Sequence, residues 1–164
     1  MSEARRITDG IERAVSGPVW HGPALAELLA GVTAAMACER PIAGAHTIWE
    51  LVLHLTSWAE IVRARLVAGA PGDPLADEDW PPAPREATDE AWRRAVAALE
   101  ASHVALARKA ATLDDAALDA TVPGRDYTVA VMLRGVAEHG AYHGGQIAII
   151  KRALSVEPLT ASPG

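Results

Sequence analysis

Two histidines, His139 and His143, stand four residues apart in the stretch RGVAEHGAYHGGQIAIIK near the end of the chain. On an α-helix this spacing places both imidazoles on one face, one turn apart. The same face includes Met132, Val136 and Ile150, so we expect it to point into a core. Two inward imidazoles form half of a metal site, which still needs a ligand from elsewhere in the chain.

The other four histidines divide into two inward and two surface residues. His54 and His103 each fall within an apolar stripe of a predicted helix, whereas His21 and His46 lie beside loop residues and are predicted at the surface. A lone inward histidine is usually a satisfied core residue, but an unpaired buried imidazole costs about 1–3 kcal/mol. Four inward histidines therefore favour a shared divalent cation. Three imidazoles from two helices would leave one coordination position open, as catalytic sites do.

Four glycines interrupt the helix that carries the histidine pair: Gly135, Gly140, Gly144 and Gly145. Each costs about 1 kcal/mol relative to alanine in a helix interior, so a reason for them is expected. Gly140 and Gly144 lie one turn apart, and they would admit a neighbouring helix or a dimer partner, or leave room for a ligand beside the imidazoles. Tolerated sequence drift is the remaining interpretation.

Helices must position these side chains. Apolar periodicity and capping residues predict four long helices over residues 3–15, 47–69, 88–112 and 128–154, and short ones over 23–29 and 33–38. Thr47 and Glu50 match a capping box at the start of the second long helix, and Thr128 is a cap for the last. The pattern predicts an all-α four-helix bundle, one domain over residues 1–164 with a loose tail from about residue 157.

A long connection, residues 70–87, joins the second and third long helices. Its prolines and its acidic residues indicate an irregular, solvated loop. The alternatives are a crossing of the bundle or a lid, with Trp80 pinning the loop to the body.

Composition narrows the classes of function. The chain has 164 residues and a net charge of −6, so it lacks the basic balance that nucleic-acid or anionic-membrane binding requires. No run of about 20 apolar residues is present to span a membrane, and no apolar signal segment opens the sequence. Cys38 is the only cysteine, which excludes an internal disulfide. We expect a soluble, cytoplasmic protein.

Two motifs resemble those of the DinB/YfiT-like metalloenzyme superfamily. Residues 139–147, HGAYHGGQI, are similar to its HxxYHxGQI signature, and residues 48–55 with Trp58 resemble its other histidine motif. Residues 124–129, GRDYTV, look like the family's approach to its last helix, and the resemblance extends over residues 11–154. It implies a four-helix bundle, commonly dimeric, with a divalent metal held by His54, His139 and His143.

Family members of known activity resemble metal-dependent transferases and isomerases that use a low-molecular-weight thiol such as bacillithiol or mycothiol. The resemblance thus implies a thiol transferase with a small-molecule substrate, and hydrolysis is the alternative reaction. A non-catalytic, metal-stabilised dimer that binds a small molecule or responds to stress is a second class, and a helical bundle that binds nothing is a third. Three imidazoles suit zinc or nickel first, and also cobalt, iron or manganese.

Three further residues are pocket candidates. Trp58 lies one turn after His54 and is predicted to form the pocket wall. Gln146 either donates a hydrogen bond to a substrate or orients a ligand histidine. His103 lies outside the family triad, and we expect it to line the pocket, with occasional metal ligation as the alternative.

Overall fold

The computed structural model describes residues 1–68 and 73–155, and over these ranges the chain is helical, without strands. The predicted all-α class is confirmed. The helices are α1 (Glu3–Ser16), α2 (Leu25–Leu29), α3 (Ala34–Cys38), α4 (Ile48–Ala68), α5 (Ala76–Asp79), α6 (Asp89–Ala110), α7 (Asp115–Asp119) and α8 (Val129–Ser155). Within this part of the chain, none of the helices combines the length and the apolar character that a membrane span requires.

The four long helices pack as a closed ring in which α1 and α4 each contact both α6 and α8. Their inward faces supply two clusters of buried apolar side chains. One contains Trp49, Leu99 and Ile147 and is covered by residues of α2 and α3. The other contains Ile11 and Leu133. Burial of these faces holds α4 against α8, the two helices that carry the candidate ligands.

The predicted caps fix where the long helices begin. The Thr47 N–H donates to Glu50 Oε2 at 2.8 Å and the Glu50 N–H donates to Thr47 Oγ1 at 3.1 Å, so the capping box of α4 is confirmed. At the start of α8, the Val131 N–H donates to Thr128 Oγ1 at 3.3 Å. The predicted end of the second long helix near Gly69 and the tail from residue 157 lie outside the described residues, and the single domain stays a prediction.

Two details of the predicted elements are wrong. The first short helix begins at Leu25 rather than Pro23, because the Glu27 carboxylate accepts from the Ala24 N–H at 2.8 Å and makes Ala24 the cap. The connection predicted as irregular contains the short helix α5, whose start is held in the same way by Glu78, which accepts from the Leu75 N–H at 2.9 Å.

The glycines of α8 divide by what lies beside them. A Cβ on Gly144 would lie 3.2 Å from Leu28 Cδ1, and one on Gly140 would lie 3.5 Å from the Ala14 Cβ. Of the predicted alternatives, close approach of neighbouring helices is therefore the one observed at these two positions. Gly135 and Gly145 face open space.

Candidate metal centre

The packing of α4 against α8 brings together the three histidines that the family motifs indicated. His54, His139 and His143 each offer one ring nitrogen, and these nitrogens lie within 4.8 Å of one another. His54 Nε2 lies 3.0 Å from His139 Nε2. The four-residue spacing on α8 supplies two of the imidazoles, and a residue distant in sequence supplies the third. The expected meeting point of two helices is confirmed.

The last backbone carbonyl of α5 fixes the orientation of His54. Its Nδ1 lies 2.6 Å from the Asp79 carbonyl oxygen, which can only accept a hydrogen bond. The Nδ1 atom therefore carries the proton, and the lone pair of a neutral ring is on Nε2, which faces the other histidines. A hydrogen bond of this kind orients metal-ligating histidines in many proteins.

Gln146 has the same effect on His143. Its Oε1 lies 2.9 Å from His143 Nδ1 and accepts a hydrogen bond from the Nδ1–H group, which leaves the Nε2 lone pair free. Of the two roles that the sequence left open for Gln146, the orienting role is the one this geometry supports.

The electrostatics keep the imidazoles neutral. Burial, together with the neighbouring rings of His143 and His54, lowers the pKa of His139 to about 4. Burial also lowers the pKa of His54 and of His143, against the opposing effects of Asp79 and Gln146. Neutral rings with converging lone pairs are what divalent transition metals bind.

Asp79 and Trp80, in the connection between α4 and α6, pack against the histidine cluster. The Trp80 indole lies between two imidazoles, with ring centroids 3.8 Å from His54 and 3.5 Å from His46 and interplanar angles of 7° and 5°. Asp79 Oδ1 accepts from Trp58 Nε1 at 2.7 Å. The interpretation of this segment as a solvated loop is thus wrong for Asp79 and Trp80, and the pinning role suggested for Trp80 is observed. His46 remains exposed, as predicted.

A cavity of about 360 Å³ adjoins the histidines. Trp58 forms part of its wall, and the His139 ring borders it. That this cavity is the pocket expected beside the metal stays a prediction. Open space at Gly135 contributes to its width. The lining residues are Trp58, Val62, Arg65, Tyr127, Val131, Met132, Gly135, Val136 and His139.

His103 and Cys38 do not belong to the cluster of converging ligand atoms. His103 is 2% exposed, and its Nδ1 donates to the Leu99 carbonyl at 2.9 Å within α6. His103 is not among the residues that line this cavity or among the converging ligand atoms. Its roles as a pocket-lining residue and as an occasional fourth ligand stay predictions. Burial raises the pKa of the Cys38 thiol, which makes it a poor nucleophile.

Two residues of the site were missed from sequence. Asp79 was assigned to a solvated loop, although it touches both His54 and Trp58. Arg65 was not singled out, although it continues the inward stripe of α4 through His54 and Trp58 by helical steps of three and four. A cation on an otherwise apolar inward face was the available signal for it.

The comparison with protein families agrees with the geometry. The family model of the DinB superfamily matches residues 19–147, which is most of the chain and includes all three histidines. The chain therefore belongs to the DinB superfamily. No curated protein and no solved structure matches it significantly.

The residues present fit a divalent cation. All three donors are neutral imidazole nitrogens, two of them with the tautomer that ligation needs already set by Asp79 and Gln146. Three nitrogen donors with a cavity beside them match the donor set of catalytic zinc and related sites.

Proposed function

We propose that this protein is a divalent-metal-dependent enzyme that transfers a low-molecular-weight thiol to a small electrophilic substrate. The observation that carries the proposal is the convergence of the three neutral histidines beside a cavity. A cation bound by His54, His139 and His143 would supply Lewis-acid chemistry that lowers the pKa of a thiol, so that it reacts as the thiolate at neutral pH.

The chain's own residues would bind and orient the reactants. Trp58, Met132 and Val136 give the cavity an apolar wall that excludes water from the reacting sulfur. The sulfur–carbon bond forms as the bond to the leaving group breaks with its electron pair, and the thiol proton passes to solvent. His54 and His143 would not act as the base, since Nδ1 of each carries a proton and Nε2 of each would hold the cation.

The lining of the cavity favours thiol transfer over hydrolysis. None of its described residues is a carboxylate. Metalloproteases of the HExxH type pair their metal with a glutamate that activates water as general base. A thiol is already a strong nucleophile once it is deprotonated, and it needs no such partner.

The test is a coupled measurement of metal and reaction. Protein loaded with zinc or nickel is incubated with chlorodinitrobenzene and a panel of thiols that includes bacillithiol and mycothiol. Thiol conjugation that stops on chelation and resumes on reloading is expected. A metal-loaded protein that conjugates no thiol of the panel would instead favour a non-catalytic module that binds a small molecule.

We also propose a homodimer in the cytoplasm. Val131, Tyr142 and Ile149 are 51%, 66% and 59% exposed on the outer side of α8. These apolar side chains share one face with the exposed Glu138, and we propose that this face contacts a second copy of the chain. The single cysteine suits a reducing compartment. Replacing Tyr142 with Glu should give a monomer in sedimentation equilibrium, whereas replacing the exposed Trp20 with Glu should not change the mass. A wild-type monomer would contradict the dimer.

A further inference from the structure

The side chain of Arg65 is buried beside the candidate metal centre and is incompletely paired. It is 6% exposed, and among the described residues its Nε and Nη2 atoms have no hydrogen-bond partner. Its remaining nitrogen, Nη1, reaches Tyr127 Oη at 3.4 Å, which is long for a hydrogen bond. Buried guanidinium donors without hydrogen-bond partners are unfavourable, so these two atoms in a cavity wall indicate a site for a ligand.

Arg65 and His139 line the same cavity, and the Trp58 indole adjoins both. The ring centroid of Trp58 lies 5.7 Å from the Arg65 guanidinium carbon and 6.2 Å from the His139 ring centroid. Apolar side chains, including Met132 and Val136, supply most of the remaining wall. A ligand in this cavity would therefore meet a cationic group, an apolar wall and the histidine cluster.

The two unpaired atoms specify the kind of anion. Nε and Nη2 lie on one edge of the guanidinium group and donate in parallel, a fork that matches the two oxygens of a carboxylate. We propose that Arg65 anchors the carboxylate of the cavity's ligand, whose apolar chain lies along Trp58 and whose reactive end meets the histidines. The inference rests on the proposed function in that it takes the cavity to be the substrate or thiol site.

Access to the guanidinium requires a small rearrangement. Nε and Nη2 are shielded from solvent. The long contact between Arg65 and Tyr127 is readily broken. We expect Tyr127, which is half-buried, to shift as the carboxylate binds, so that the contact at Nη1 is lost while Nε and Nη2 gain two charge-assisted hydrogen bonds.

Binding of hexanoate to the metal-free protein tests the proposal by calorimetry, with hexanol as the neutral analogue. Hexanoate should bind more tightly than hexanol, and Arg65→Met should weaken hexanoate by about ten- to a hundredfold without changing hexanol. The matched control is Arg63→Met, on the same helix, where the arginine is 42% exposed and pairs with Glu60. Equal binding of the two analogues, or unchanged hexanoate binding in Arg65→Met, would overturn the proposal.

A second variant guards against misfolding. Arg65→Lys keeps the charge and loses the fork, so intermediate hexanoate affinity is expected, and thermal melting checks that both variants fold. Inorganic phosphate that binds and displaces hexanoate at equal concentration would assign the site to phosphate and overturn the carboxylate. Because hexanoate has no thiol and the protein carries no metal, these results stand or fail separately from thiol transfer.

Discussion

His54 Nε2 lies 3.0 Å from His139 Nε2, although the two residues are 85 positions apart in the chain. The contact exists because α4 and α8 pack against each other and because each ring is turned inward. His54 already donates from Nδ1 to Asp79, so it meets His139 through its lone pair. Two nitrogens held this close without a carboxylate between them are poised to share a cation.

Removing the Asp79 side chain should weaken metal binding. Asp79 Oδ1 holds Trp58 at 2.7 Å and lies 3.3 Å from His54 Nδ1, so the carboxylate also keeps its own backbone carbonyl against His54. We expect Asp79→Ala to lower zinc affinity by about ten- to a hundredfold, as loss of an outer-shell partner does. Competition with a chromophoric chelator measures it. Asp77→Ala, at an exposed position of α5, is the control, and equal affinities in the two variants would contradict the role of Asp79.

Gln146 provides an independent test of ligand orientation. Gln146→Leu removes the acceptor at 2.9 Å from His143 Nδ1, and we expect zinc affinity to fall by about ten- to a hundredfold. Gln146→Glu keeps an acceptor oxygen and should retain most of the affinity. A leucine variant that binds as tightly as the wild type would show that the hydrogen bond to Gln146 does not set the His143 tautomer.

The glycines of α8 should differ sharply in tolerance. Gly144→Leu drives a side chain into Leu28, whose Cδ1 would lie 3.2 Å from a Cβ, and should lower the free energy of unfolding by about 1–3 kcal/mol. Gly145→Leu places its side chain in open space and should be neutral or stabilising. Urea unfolding measures the free energy of unfolding of both variants and of the wild type. Equal stabilities would remove the packing explanation for Gly144.

Local signals in the sequence were sufficient for most of the fold. Thr47 and Glu50 mark the start of α4 because a capping box is a short-range hydrogen-bond pattern. The four-residue spacing of His139 and His143 is also a local signal, since it places both side chains on one face of a helix. The triad itself depended on the family motifs, since helical periodicity alone did not determine which inward histidines meet.

The remaining features depend on tertiary contacts that no local pattern specifies. Asp79 and Trp80 lie in an acidic, proline-containing stretch whose composition indicates exposure, yet stacking on His54 and the hydrogen bond from Trp58 hold it down. Arg65 is the reverse case, because charged residues are usually exposed and this one is buried in the apolar stripe of α4. Its position on the inward face of α4 indicates burial, but its missing hydrogen-bond partners depend on how Trp58 and Tyr127 are placed around it.

Acid should destabilise the metal-free protein. Burial, together with the neighbouring histidine rings, lowers the pKa of His139 from its ordinary value of 6.5 to about 4, so between these values the unfolded chain binds more protons than the folded one. The stabilising contribution of the neutral ring is full above pH 6.5 and is lost as the pH falls toward about 4. Urea unfolding of chelated protein at a series of pH values should show this decline. His139→Gln should flatten it, while His21→Gln, at an exposed position, should not. Identical pH profiles for the wild type and His139→Gln would contradict the contribution of His139 to the loss of stability in acid.

The metal content of the untagged protein and of His139→Ala, measured by elemental analysis, tests the central claim most directly. The wild type is expected to carry one divalent cation per chain, and His139→Ala should carry almost none while its circular dichroism still shows a folded helical protein. A wild type that binds no divalent metal even after loading, or a His139→Ala variant with full occupancy, would contradict a metal centre built on His54, His139 and His143.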